Sequence, residues 1–230
     1  MLMDDRRSTF SIAMEEKTSR AELAYAKILE GIRDGSLKPG HRITEAEIAS
    51  WLNMSRTPVR EALRRLETAG LLTTAPYSGM RIARLDYQEI MELYDMRAVL
   101  ERTAAGLAAK HASEAEIYSL NEIMKRYEAA ESAAEHSRHN RLFHSALYYA
   151  AHNRYLLKSL NSIRDSMILL GKTTFELPGR AEQVTREHRA ILDAIIARDP
   201  VAAGDAADKH IREAQKARII LFGQQSDPED

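Results

Sequence analysis

Apolar positions along the first third of the chain fall into three helical stripes and two short alternating runs. Tyr25, Ile28, Leu29 and Ile32 repeat at i, i+3, i+4 and i+7, the spacing of an amphipathic helix. Gly35 and the pair Pro39-Gly40 close it with a turn. Thr44-Glu45-Ala46-Glu47 is a capping box, in which the Thr hydroxyl and the Glu carboxylate satisfy free N–H groups at a helix start. Ile48, Ala49, Trp51 and Leu52 then supply an apolar face, and Asn53 suits the turn that follows. The next helix is expected to take Thr57 as cap with Pro58 at its first position. Its stripe is Val59, Ala62, Leu63 and Leu66, and Gly70 ends it. Leu71 to Ala75 and Met80 to Leu85 flank the turn Pro76-Tyr77-Ser78-Gly79 and predict a hairpin. Helix, turn, helix and hairpin in this order predict a winged helix-turn-helix, which sets one helix in the major groove of DNA.

From Asp86 onward the pattern turns helical, with no β-prone run. Asp86-Tyr87-Gln88-Glu89 opens a long helix bearing Ile90, Leu93, Tyr94, Arg97, Leu100 and Glu101. Ser113-Glu114-Ala115-Glu116 is a second capping box. Further helices are expected over 115–131, 134–151, 154–174, 181–198 and 201–222, punctuated by Asn153, Pro178-Gly179 and Asp199-Pro200. Six helices with short connections predict an antiparallel bundle. The expected organisation is a flexible tail over 1–19, a DNA-binding head over 20–85, a helical domain over 86–222 and a frayed acidic end over 223–230. The fold class is therefore mostly α.

Composition narrows the function. At 230 residues and 44 % apolar content, the chain can bury a sizeable core. It has no cysteine, which excludes disulfides, thiolate metal sites and a Cys nucleophile, and fits a reducing cytoplasm. No apolar run approaches the roughly 18 residues needed to span a bilayer. Arg20 to Leu85 hold 11 Lys+Arg and 7 Asp+Glu, a balance of 11 − 7 = +4, so the remaining residues carry −1 − 4 = −5. A basic head on an acidic body suits a DNA-binding protein with a second task.

Arg60 and Arg64 lie one turn apart and away from the apolar stripe, while Arg56 and Thr57 occupy the helix tip. Arginine can bond guanine bidentately or clamp a phosphate. The alternative is an ordinary solvated face on which Glu61 and Glu67 pair with these arginines. In the helical region, Asn140 and His144 are four apart on one face, and His188 and His210 come from two further helices. Three neutral imidazoles and an amide oxygen suit zinc, nickel or manganese. The alternative is that each histidine, among eight in the chain, is solvated or bonded to a neighbour.

ILEGIRDGSLKPGHRITEAEIASWLNMSRTPVREALRRLETAGLL resembles the N-terminal domain of the GntR family of bacterial transcription regulators. The resemblance implies that Ser55, Arg56, Thr57 and Arg60 approach DNA, and that Gly79 lets the wing come close. Ala46 stands where some relatives carry a DNA-contacting arginine. LYDMRAVLE, NRLFHSALYYAAHN, EHRAILDAI and the late His210 resemble the FCD effector-binding domain of the FadR subgroup. Members of that subgroup with a metal site carry Asp-x-x-Phe-His and two later histidines. Here Asn140 replaces the Asp, while Phe143-His144, His188 and His210 are kept. The resemblance further implies a small carboxylate metabolite as effector, completing the coordination of a divalent metal and meeting an arginine. Arg97 is the first candidate and Arg164 the second; Arg97 can instead pair with Glu101, four residues on.

The reading that follows is a cytoplasmic, homodimeric regulator of double-stranded operator DNA, with no membrane partner. Two rivals are a metal-dependent enzyme with a helical catalytic domain and a DNA-binding protein that lacks an effector. The enzyme needs a general base beside the metal, and Glu187, adjoining His188, points in another direction along its helix. The effector-free protein leaves inward-facing polar residues without a purpose.

Overall fold

The computed structural model describes residues 19–75 and 79–226. The expected tail over 1–18, the turn residues Pro76-Tyr77-Ser78 and the last four residues of the acidic end lie outside them. The chain divides into two compact units, Met1–Arg84 and Leu85–Asp230.

The first unit holds α1 (Arg20–Arg33), β1 (Arg42–Ile43), α2 (Glu45–Leu52), α3 (Arg56–Thr68), β2 (Leu72–Ala75) and β3 (Gly79–Ile82). Its helix starts are chemically defined. Ser19 caps α1, so it belongs to that helix and not to a tail. Thr44 and Glu47 form the expected box, with Glu47 N donating to Thr44 Oγ1 at 3.2 Å and Thr44 N to Glu47 Oε2 at 2.8 Å. Asn53 takes a left-handed conformation, φ 51°, at the turn between α2 and α3. Such a conformation is open to a short polar side chain that bonds locally.

Three expectations change. The N-cap of α3 is Ser55, not Thr57, and Pro58 falls at the third helical position. That position also lacks an intrahelical acceptor, so the missing N–H is harmless there. Trp51 is 47 % exposed and does not enter the core. Its indole lies over Gly31, where a Cβ would sit 2.6 Å from the ring edge. The wing is three-stranded, in the order β1-β3-β2, because Arg42 and Ile43 pair with Arg81 and Met80. Two residues are too few for an alternating pattern to be visible. The α3 stripe Val59, Ala62, Leu63 and Leu66 is fully buried, which turns the opposite face to solvent.

The second unit is an antiparallel helical bundle: α4 (Tyr87–His111), α5 (Glu114–Glu128), α6 (Ala133–Ala150), α7 (Arg154–Ser166), α8 (Arg180–Ile196) and α9 (Pro200–Ser226). The segment expected as one helix over 154–174 stops at Ser166 and tightens into 3₁₀ turns at Met167–Leu170 and Thr174–Glu176. Ile168, Leu169 and Leu170 are consecutive and all buried, an arrangement that a single α-helical face cannot supply. The last helix continues through Ser226, past the expected end at 222.

Small residues set how close α4 and α9 come. Ala104, Ala105 and Ala108 of α4 and Ala203 and Ala207 of α9 are fully buried in one core. A Cβ on Gly106 would meet the Pro200 carbonyl at 3.0 Å, and one on Gly204 would meet the Arg102 carbonyl at 3.2 Å. This seam brings the polar residues of α4 within reach of His210 on α9. Among the described residues no helix is long and apolar enough to cross a membrane.

Candidate metal centre and nucleic-acid interface

In the bundle, α6, α8 and α9 deliver His144, His188 and His210 to one point, with ligand atoms all within 4.8 Å of one another. All three are buried. Two carboxylates orient two of the rings. His210 Nδ1 is 2.7 Å from Glu187 Oε2, and Arg180 Nη1 donates to the other oxygen of that carboxylate at 3.0 Å. His144 Nδ1 is 2.7 Å from Glu101 Oε2. This second contact is a close approach and not an aligned hydrogen bond. Glu101 Oε1 accepts from Arg97 Nε and from the Tyr148 hydroxyl, both at 2.7 Å.

Carboxylates at Nδ1 place each ring's proton there and leave the lone pair on Nε2. The Nε2 atoms of His144 and His210 stand 3.2 Å apart. Two facing lone pairs repel unless a cation lies between them. An ion held at about 2.0–2.1 Å by nitrogen sets neighbouring ligand nitrogens roughly 3.0–3.4 Å apart. His188 stacks on Phe143 at 4.1 Å, and neither of its ring nitrogens has a hydrogen-bond partner. A fully buried imidazole with two unsatisfied nitrogens calls for a ligand. The donor set therefore fits a divalent ion.

The electrostatics agree. Burial, reinforced by the charges of His210 and His144, pushes the His188 pKa well below its ordinary value. Burial pushes His210 down to about 4 against the opposing pull of Glu187. Both rings are thus neutral, the form that binds metals. Burial works to raise the Glu101 carboxyl, but the charges of His144 and Arg97 outweigh it and hold it below the carboxylate range. Burial, then the Glu101 charge, keeps Tyr148 protonated as a donor.

The other expected bundle residues divide. Arg97 does pair with Glu101, the second of its two alternatives, and its Nη2 also reaches within 3.4 Å of His144 Nε2, at the edge of the histidine cluster. Asn140 is half-buried one turn before His144. Arg164 is exposed and donates to Ser145 Oγ at 3.4 Å, and among the described residues it makes no hydrogen bond to the three histidines. Sequence reasoning missed the structural parts played by Tyr148, Arg180 and Glu187. The i, i+4 pair Arg97/Glu101 was the one trace of this shell in the pattern.

In the head, Ser55, Arg56, Thr57, Arg60 and Arg64 all lie on the exposed side of α3. Arg60 does not pair with Glu61 or Glu67. Its Nε contacts Glu45 Oε1 at 2.8 Å and its Nη2 contacts Oε2 at 2.9 Å, across the turn from α2. The hydrogen bond from Arg60, with the charges of Arg64 and Arg56 adding to it, lowers the Glu45 pKa. Arg65 is used differently, lying 4.5 Å above the Tyr25 ring. Gly79 has φ 74°, and a Cβ there would come 3.1 Å from Arg42 Nε. Arg42 thus adds a cation beside the wing that the hairpin pattern alone does not reveal.

Comparison with known proteins follows this division. Residues 20–82 match the bacterial regulatory proteins of the gntR family, and residues 92–213 match the FCD domain. The chain is 33 % identical over 183 residues to the "Uncharacterized HTH-type transcriptional regulator YdhC" of Bacillus subtilis (strain 168), covering 78 % of this chain and 82 % of that one. It is 32 % identical over 200 residues to a "Probable D-xylose utilization operon transcriptional repressor" of Paenarthrobacter nicotinovorans, covering 85 % and 87 %. The solved structure of E. coli McbR/YncC shares the fold, with a TM-score of 0.75 and 24 % identity over 91 % of this chain and 99 % of that one. The relatives are named as regulators and not as enzymes. With both domains matched and the relatives aligned across most of their length, the chain belongs to the GntR family of bacterial transcription regulators, as a DNA-binding regulator with an FCD effector-binding domain.

Proposed function

We propose that this regulator acts in the cytoplasm as a homodimer whose operator affinity is set by a small organic acid bound at a divalent metal in the bundle. The observation that carries this reading is the convergence of His144 Nε2, His210 Nε2 and the unpartnered His188 ring on one point beside the Arg97 guanidinium. Zinc, nickel or manganese suits three imidazoles, and when bound it would supply an open position for an anionic oxygen. His144, His188 and His210 would hold it, with Asn140 as a weak fourth ligand. Arg97 would meet the acid's carboxylate while Glu101 keeps the guanidinium in place.

On the DNA side, Glu45 binds Arg60 through Nε and one Nη, which leaves the far edge of the guanidinium free. That edge can bond guanine O6 and N7 bidentately. Ser55, Arg56, Thr57 and Arg64 surround it as phosphate or base contacts, and Gly79 admits the wing. Dimerisation matches two half-sites to the two recognition helices. Only Ala83 to Asp86 separate β3 from α4, the helix that carries Arg97 and Glu101. A shift of α4 on acid binding is then passed to the head.

Arg60→Ala is expected to weaken operator binding by about 1–3 kcal/mol. The fold should persist, because Arg60 is 52 % exposed and lies off the buried stripe. A fluorescence-anisotropy titration giving undiminished affinity would contradict its assignment.

Protein purified without chelator should carry one divalent ion per chain by elemental analysis. Asn140→Asp should tighten the site, since a carboxylate adds charge toward the cation. No stoichiometric metal, together with no stabilisation by added zinc, nickel or manganese, would remove the metal from this account.

The regulatory reading is tested by reciprocity. Acid and operator should alter each other's affinity by one factor, typically about 1–3 kcal/mol. An acid that binds the bundle equally with and without saturating operator is not the signal.

A further inference from the structure

A second group of buried polar atoms adjoins His188 through the Tyr127 ring. Tyr127 of α5 is fully buried, and its hydroxyl has no hydrogen-bond partner. Its ring packs edge-on to His188 at 5.4 Å and against His136 of α6 at 4.9 Å. His136 in turn stacks on Phe175 at 5.7 Å, and its Nδ1 is buried without a partner. Arg180 is buried and spends Nη1 on Glu187, yet its Nε is unpartnered. Arg180 also stands close enough for its charge to act on the Tyr127 hydroxyl, although burial dominates and keeps that hydroxyl protonated.

Each unsatisfied buried donor costs roughly 1–3 kcal/mol, so several together in one core require a compensating partner. The donors here are an O–H and a guanidinium N–H. Neither has an acceptor within hydrogen-bond distance. The site also continues the metal centre: His136, Asn140 and His144 succeed one another at i, i+4 and i+8, on one face of α6. The His188 ring bridges the two ends.

We propose that the effector is a two-headed acid, with one carboxylate at the histidine and Arg97 end and a second oxygen-bearing head accepting from Tyr127 Oη and Arg180 Nε. The proposal rests on the acid-and-metal reading above and specifies the class of acid. A simple monocarboxylate fills one end only. An acid of intermediate length with a second carboxylate fills both.

The test is calorimetric titration of the metal-loaded full-length protein with matched pairs of equal chain length: succinate against butyrate, glutarate against pentanoate, adipate against hexanoate. At least one dicarboxylate should bind tenfold or more tightly than its monocarboxylate partner. Tyr127→Phe, which removes one oxygen and no packing surface, should close most of that gap by weakening the dicarboxylate roughly tenfold. The monocarboxylate should be unaffected. If the acids bind but no pair separates, or if the gap survives Tyr127→Phe, the second head is refuted while the acid-and-metal reading stands. If no acid of either kind binds the metal-loaded protein, that reading falls and takes this proposal with it.

Discussion

One buried carboxylate organises the bundle site. Glu101 has no solvent exposure, and its two oxygens meet three partners from two helices: Arg97 of its own helix, and His144 and Tyr148 of α6. A charge in such a place is tolerated only when it is paired. That requirement fixes the guanidinium, the imidazole and the phenol together. Moving the guanidinium leaves a buried charge without its countercharge. The His144 tautomer, and with it the direction of the Nε2 lone pair, follows from where Glu101 sits.

The same device recurs on the other side, where Glu187 holds His210 and is itself held by Arg180. Two carboxylate-backed histidines then face each other directly, with the third, His188, beside both, its plane fixed by its stack on Phe143. The apolar seam of α4 and α9 is the precondition. A Cβ at Gly106 or Gly204 would crowd the facing backbone carbonyl at 3.0 and 3.2 Å, so these glycines keep the two helices close. Polar function and small-residue packing are thus one design. The head uses a comparable pairing at its surface, where Glu45 steadies Arg60 without burying it.

What was legible in the sequence was local. The capping boxes at Thr44 and Ser113 act over three residues, and the α3 stripe acts over two turns, so short-range chemistry decides them. Trp51 and the cap of α3 went astray because apolar character and Pro placement each admit a neighbouring solution. The two-residue β1 and the 3₁₀ turn at Met167–Leu170 depend on partners far away in the chain. The histidine cluster was readable as a residue set through the resemblance to FCD domains. Its convergence spans 66 residues between His144 and His210 and is a tertiary fact. Of the carboxylates behind the histidines, only Glu101 left a trace, as the i, i+4 partner of Arg97. Glu101 meets Tyr148 across 47 positions, and no periodicity encodes that contact.

The most direct measurement is the metal affinity of Glu101→Gln, read by competition with a chromophoric chelator on protein of unchanged helicity. The amide keeps the shape and can still accept from Arg97. It brings no charge to favour the Nδ1–H tautomer of His144, and it leaves the Arg97 guanidinium uncompensated. The account predicts a 10- to 100-fold loss of metal affinity, about the effect of removing a supporting carboxylate from a histidine ligand. An affinity equal to that of the unaltered protein would show that Glu101 serves the packing alone, and that the centre does not depend on it.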